Sequence, residues 1–206
     1  MVVDNGSTDE TSRVARNEGA IVVSEPRKGY GYACLAGIRR AKDLGATTIL
    51  FLDADGSDDP SEAGTLLEPI LAEEADLVLG VRTRNTANRS SMAPVQRFGN
   101  WLAPSLMRVL LGAPYHDMPP YKAIRCSRLD SMDLSDTGYG FTIELLIRAH
   151  AQGLRIVERD VMCRARRAGD SKVSGTLRGS AKAAARIISM IAKHAYAARV
   201  RSPTTP

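Results

Sequence analysis

Residues 47–52, Thr-Thr-Ile-Leu-Phe-Leu, form a nearly unbroken apolar run that ends abruptly on Asp53-Ala54-Asp55-Gly56. A strand wetted on one face alternates apolar and polar side chains, whereas one covered on both faces does not. The run therefore predicts a strand buried inside a layered sheet, with a carboxylate-rich turn at its carboxyl end. In open α/β sheets, ligands collect in the loops that leave those ends. This turn is the first place to look for chemistry.

The neighbouring pattern extends the same architecture, because short β-branched runs alternate with helical spacing as in successive βα units. Met1–Asp4 reads as the end of a strand, Thr8–Glu18 as a helix capped by Ser7 or Thr8, and Ala20–Ser24 as a second strand. Tyr32–Leu44 is helical up to Gly45, and Pro60 opens a helix over Pro60–Glu74. Asp76–Val81 is a fourth strand. A polar loop over Arg82–Pro94 follows, then a helix over Val95–Leu111, a strand over Tyr121–Cys126, a helix over Thr142–Gln152 and a strand over Leu154–Cys163. After a basic loop, a last helix over Leu177–Val200 gathers Ile187, Ile188 and Ile191 on one side, away from Lys182, Arg186, Lys193 and Arg199. Together these predict one α/β domain over residues 1–200, three-layered with a mostly parallel central sheet, and a disordered tail over residues 201–206.

The formal net charge of +5 hides a gradient. Residues 1–81 carry a net −8, residues 82–154 a net +4 and residues 155–206 a net +9. A basic face of this kind suits an anionic partner. An aromatic content of 5% and the lack of any recognition motif argue against nucleic acid. Phosphorylated small molecules or an anionic membrane surface remain. Cys34, Cys126 and Cys163 are odd in number and widely spaced, so they suggest reduced thiols in a cytoplasmic protein rather than a zinc site or disulfide framework. No apolar run approaches the roughly 20 residues of a membrane span, and residues 1–10 have no signal-peptide character.

Three loops then compete with plainer explanations. Asp53 and Asp55 could hold a hard divalent cation that also takes phosphate oxygens, or could be a solvated turn with Asp55 or Asp58 capping the next helix. Asp4-Asn5-Gly6-Ser7-Thr8-Asp9 suits a nucleotide base or ribose, and equally an Asx turn. Arg27-Lys28-Gly29-Tyr30-Gly31 is a cationic, glycine-punctuated loop fit for phosphate or ribose contact.

Their order is more telling than any one of them. D-N-G-S-T-D, then K-G-x-G, then an apolar strand ending D-A-D-G, resembles the family 2 glycosyltransferases of GT-A fold, and most of all their polyprenyl-phosphate mannosyl- and glucosyltransferases. Leu77–Arg82 resembles the family's strand ending Gly-x-Arg, and Arg167-Ala168-Gly169-Asp170-Ser171-Lys172 its R-x-G-x-S-K loop. The resemblance implies a nucleotide-binding half over 1–81 and an acceptor half over 82–200. It implies Asp4, Gly6, Ser7, Lys28, Gly29, Asp53 and Arg82 at the donor nucleotide and diphosphate, and Asp53 and Asp55 on Mg²⁺ or Mn²⁺. Arg167, Ser171 and Lys172 would meet acceptor phosphate, and Asp117 and Glu144 would stand near the reacting centre. His116 would orient or pack rather than act as base.

The implied reaction moves a sugar from a nucleoside diphosphate donor to a polyprenyl phosphate or related acceptor, with inversion at the anomeric carbon. It implies a cytoplasmic protein of cell-envelope synthesis, with the basic last helix at the inner face of the membrane or else packed on the core. The sequence departs from the family at Ser57, where many relatives carry Gln, and at Pro119-Pro120, in place of Ser-Gly. These departures keep open a homologue that binds nucleotide without turnover. The family also begins with a strand bearing a Pro-x-x-Asn-Glu-like segment before D-x-G-S. The resemblance thus implies an N-terminally truncated domain whose missing strand an upstream reading frame would encode. A rival resemblance is to the D-x-D-G-(S/T) nucleophile loop of haloacid dehalogenase-type phosphatases, matched by Asp53–Ser57 but without the family's G-D-x-x-x-D pair.

Overall fold

The structure, a computed structural model, describes residues 1–82, 94–164 and 184–194. In chain order the elements are β1 (Val2–Asp4), α1 (Thr11–Asn17), β2 (Val22–Ser24), α2 (Tyr30–Asp43), β3 (Thr48–Phe51), a 3₁₀ turn (Pro60–Glu62) running into α3 (Ala63–Leu71), and β4 (Leu77–Val81). Then come α4 (Pro94–Leu111), β5 (Lys122–Arg125), α5 (Cys126–Leu129), α6 (Phe141–Ala151) and β6 (Ile156–Asp160). A helix α7 covers residues 184–194.

Every strand and longer helix expected from periodicity is found, with ends shifted by a few residues. The start of α1 moves furthest. Ser7 and Thr8 do not cap it, because the Ser7 N–H turns back to Asp4 and the Thr11 N–H takes Asp9 Oδ1 at 3.1 Å. The helix expected from Pro60 begins as a 3₁₀ turn held by Asp59, which accepts from the Ser61 N–H. The last helix, expected over Leu177–Val200, is described only over 184–194, the remainder lying outside the described residues.

The fold class is α/β with a GT-A arrangement, and its sheet is more mixed than the sequence suggested. β1 and β2 pair in parallel, and a separate four-stranded sheet has the order β3-β5-β4-β6. β4 and β6 are parallel, but β5 runs antiparallel to both its neighbours. The chain leaves β4 at Val81 and re-enters the sheet at Lys122, which lies across from Leu79, so it returns from the end at which it left. A buried strand has the same apolar pattern in either direction, which is why periodicity could not supply the sign.

Alternation along the strands sorts the core into two layers. Leu77, Leu79 and Ile124 face α2, α4 and α6, while Val78, Ala123 and Tyr121 face Leu66 and Ile70 of α3. Each buried Leu or Ile here contributes about 1.5–3 kcal/mol. α7 joins the larger layer: Ile191 is fully buried there, with Ile187 and Met190 beside it. Among the described residues no helix is long and apolar enough to cross a membrane.

Candidate functional site

β3 delivers its chain into a braced acidic turn. The Asp53 N–H donates to Asp58 Oδ2 at 2.9 Å, and the Ser57 N–H donates to Asp55 Oδ1 at 2.9 Å. Between them Gly56 takes a φ of +79°, a left-handed conformation that a side chain would strain. Asp58 is the buried strut of this turn. Burial pushes its carboxyl up to about 6, and the adjacent Asp53 and Asp55 charges push the same way. Asp58 also forms a β-bridge with Cys163, and Ser57 O accepts from the Arg164 N–H at 2.9 Å. The Arg164 guanidinium pairs with Asp59. The turn is thereby fastened to the segment that leads to Arg167, Ser171 and Lys172, which lie outside the described residues.

The loop after β1 is equally constrained. Asp4 accepts from the Ser12 hydroxyl and from the Ser7 N–H, and these bonds hold its carboxyl down at about 2. Asn5 stitches this loop to the next one: its amide donates to Glu25 O and Arg27 O, and its Oδ1 accepts from the Gly29 N–H at 2.8 Å. A Cβ on Gly6 would lie 3.5 Å from the Lys28 side chain. Asp4, Gly6, Ser7, Lys28 and Gly29 thus form one continuous surface. A cleft of about 530 Å³ lined by Val2, Asp9, Thr11, Val14 and Ala54 sets the start of α1 beside the acidic turn.

The glycines of the K-G-x-G loop have a structural cause. A Cβ on Gly31 would lie 2.0 Å from Asp136 O, and one on Gly29 2.3 Å from Thr137 O. The first N–H groups of α2, on Gly31 and Tyr32, are taken by Gly138 O and Thr137 O. The approach is too close for any side chain, and those donors serve the fold.

Arg82 and Asp117, expected separately at donor phosphate and reacting centre, meet each other. Arg82 Nε and Nη2 donate to Asp117 Oδ2 and Oδ1, each at 3.0 Å. The N–H groups of Arg82 and Met118 supply two further donors to the same carboxylate, which is fully buried. Glu144 is likewise saturated. It accepts from the Ser135 N–H and hydroxyl, the Asp136 N–H and the Arg148 guanidinium. Burial alone would raise its pKa, but those hydrogen bonds outweigh burial and leave it lowered. His116 pairs with Glu158, Nδ1 to Oε2 at 2.7 Å, in keeping with an orienting role.

Sequence reasoning did not foresee the roles that four polar groups take in the fold. Asn5 and Asp58 brace the two loops. Asp136 holds Gly138 through its Oδ1 and Arg186 of α7 through its Oδ2. Lys122 is the fourth, a fully buried ammonium that donates to Pro119 O at 3.2 Å, Pro120 O at 3.1 Å and Thr142 Oγ1 at 3.4 Å. It also lies over the Phe51 ring at 5.3 Å. One signal was available for it: a lone lysine inside the apolar run Tyr121–Ile124.

Residues 1–132 match the sequence model of the family described as Glycosyl transferase family 2. An uncharacterized glycosyltransferase of Mycobacterium tuberculosis is 43% identical over 182 residues, covering 87% of this chain and 80% of that protein. An undecaprenyl-phosphate mannosyltransferase of Micrococcus luteus is 32% identical over 191 residues, covering 88% of this chain and 78% of its own. In fold, the chain is similar to glucosyl-3-phosphoglycerate synthase from M. tuberculosis crystallised with Mn²⁺, UDP-glucose and phosphoglyceric acid. That likeness has a TM-score of 0.71 at 24% identity, over 94% of this chain and 67% of that one. The phosphatase reading of Asp53–Ser57 is overturned by these matches, since both family and fold are those of a glycosyltransferase.

Proposed function

The chain belongs to glycosyl transferase family 2 and is a glycosyltransferase; from that premise we propose that it transfers a sugar from a nucleoside diphosphate donor, with inversion, to a polyprenyl phosphate. The observation that carries the reading is the braced turn at the carboxyl end of β3, tied on one side to Asp58 and on the other to Cys163 and Arg164.

Asp53 and Asp55 offer hard oxygen donors of the kind Mg²⁺ or Mn²⁺ takes when it shares its shell with phosphate oxygens. Among the described residues no three His, Cys, Asp or Glu side chains are placed to hold a metal ion, so the donor's own oxygens would complete the shell. Bound there, the cation would neutralise charge on the departing diphosphate. The chain's own part is to fix the two carboxylates in the turn and to hold the Asp4–Ser7 and Lys28–Gly29 surface for the nucleotide. Arg167, Ser171 and Lys172 would supply cations and a hydroxyl to the acceptor phosphate.

The saturated state of Asp117 and Glu144 favours an acceptor that needs no base. A hydroxyl nucleophile requires proton removal, whereas a phosphate monoester is already anionic. Relatives named for undecaprenyl-phosphate mannosyl transfer and polyprenol monophosphomannose synthesis support the same acceptor class. The basic carboxyl-terminal third would then lie against an anionic leaflet, on the cytoplasmic side of the membrane.

The test is a thermal-shift panel of UDP and GDP, each with and without Mn²⁺, on the wild type and Asp55→Ala, followed by sugar transfer to polyprenyl phosphate. Metal-dependent stabilisation that Asp55→Ala abolishes is the expected result. An unaffected Asp55→Ala would remove the site from the turn. Stabilisation without any transfer would make the chain a nucleotide-binding homologue.

A further inference from the structure

Lys122 is a costly group to bury. Its ammonium is fully buried against two carbonyls, a hydroxyl and a ring face, all neutral. Among the described residues it takes part in no ion pair, although removing a charge from water is repaid only by close opposite charge or metal. Its surroundings, Phe51, Phe141, Tyr30 and Cys34, belong to the larger apolar layer, so packing alone asks for a methionine or leucine here.

Position supplies what packing does not. Lys122 lies across from Phe51 in the β3–β5 ladder and from Leu79 in the β4–β5 ladder. It therefore stands between the carboxyl ends of the strands that lead to Asp53 and to Arg82. The side chain rises on the α6 side of the sheet, where Thr142 receives it. Burial lowers the lysine's pKa, and the groups that oppose this and favour its charge are the Cys34 thiol beside it and then Asp53 and Asp58 of the acidic turn. A unit charge inside a low-dielectric core acts on such neighbours with little screening.

We propose that Lys122 is a positioning residue of the donor site, a buried cation that biases the Asp53–Asp58 turn toward taking its metal ion together with a diphosphate rather than alone. The inference rests on the reading of that turn as the donor site. The sign follows from charge alone. A fixed positive charge opposes binding of a bare divalent cation and favours a nucleoside diphosphate. Toward the metal complex of UDP or GDP, whose net charge is about −1, it is attractive, and toward the nearly neutral metal complex of a nucleotide sugar it lacks the repulsion it exerts on the bare cation. The turn is thus kept from filling with metal before the donor arrives.

The experiment titrates Mn²⁺ alone, and separately UDP or GDP without metal, into the whole chain at low ionic strength. Wild type is compared with Lys122→Met and Lys122→Gln, the second of which keeps an N–H donor and loses the charge. Both variants are expected to bind Mn²⁺ more tightly and the nucleotide more weakly, each by about threefold to tenfold. Thr142→Val, which removes one ammonium partner and keeps the charge, is expected to leave both constants within about twofold. A merely structural lysine would weaken both ligands in parallel or neither, and either result overturns the proposal. So does failure of both neutral variants to fold, since the fold would then need the ammonium for itself. Wild-type protein that binds neither ligand overturns the donor-site reading, whereas normal wild-type binding with unshifted variants overturns only the role given to Lys122.

Discussion

Arg82 and Asp117 lie 35 residues apart in sequence and meet through two parallel hydrogen bonds of 3.0 Å. Asp117 has no exposed surface, and the Arg82 side chain is 15% exposed. Breaking such a pair from one side strands a charge, which costs about 3–5 kcal/mol. Asp117→Ala should therefore lower the free energy of urea unfolding by that amount, with Asp117→Asn intermediate. A cost below about 1 kcal/mol would mean that the pair is not closed in solution. The same variant should also reduce transfer, because Arg82 would lose the partner that fixes its guanidinium.

Glu25 contributes to the acid limb of stability. The Arg27 guanidinium hydrogen-bonds it and holds its carboxyl at about 2, well below its ordinary 4.5. A depressed folded-state pKa means stability is present above the unfolded value and is lost as the folded carboxylate protonates. Wild-type melting temperature should fall as pH drops from about 4.5 toward about 2. Glu25→Gln should be less stable near neutral pH and show a flatter curve through that window. An unchanged acid limb in the variant would place the acid sensitivity elsewhere.

The close approach of α2 to the segment carrying Asp136 sets up a paired test of glycine. Gly31→Ala would put a methyl 2.0 Å from Asp136 O, a backbone atom that cannot step aside. The cost should reach about 3 kcal/mol and be accompanied by loosening of the Gly29–Tyr32 donors. Gly64, inside α3 with nothing within 4 Å of its Cβ position, should behave oppositely. Gly64→Ala is expected to stabilise by about 0.5–1 kcal/mol. Chemical denaturation of both variants decides the matter, and equal effects would contradict the packing described.

What the chain discloses in one dimension follows from these particulars. Periodicity located β3 and the turn after it because a strand buried on both faces writes an unbroken apolar run. It could not orient β5, since Tyr121–Cys126 reads the same forwards and backwards. Asp117 and Glu144 stood out as carboxylates in the right stretches, but their donors come from Arg82 and from Ser135–Asp136, brought close only by the fold. The family resemblance named positions, and the fold supplied their partners. Asn5, Asp58 and Asp136 were hidden for a different reason: a side chain that braces a loop looks, in sequence, like any polar loop residue.

Asp136 also ties α7 to the rest of the fold. Its carboxylate is 1% exposed and pairs with Arg186, itself 60% exposed, while also accepting from the Gly138 N–H. Asp136→Asn should raise amide exchange across residues 184–194 and at Gly138 more than elsewhere, with a global cost of about 1–3 kcal/mol. Uniform exchange across the chain would show that α7 is held by Ile191 and its apolar neighbours alone.

Glu144 separates a clamp from a base. Its Oε2 accepts from the Ser135 and Asp136 N–H groups and its Oε1 from the Arg148 guanidinium, donors that cannot become acceptors for a new amide, although the Ser135 hydroxyl at Oε1 can turn to accept. Glu144→Gln forces an N–H₂ against at least one of them, at a cost of about 1–3 kcal/mol. If Glu144 holds the Ser135–Asp136 segment, transfer should weaken while the shape of the pH–rate profile stays as in wild type. A general base would behave differently, because its removal abolishes the ascending limb that reports its ionisation. Because Glu144 is held below its ordinary 4.5, measuring kcat/KM from about pH 3 to about pH 8 in roughly half-unit steps, for wild type and Glu144→Gln, distinguishes the two. A lost limb would reinstate Glu144 as the proton acceptor and, with it, a hydroxyl as the group that receives the sugar.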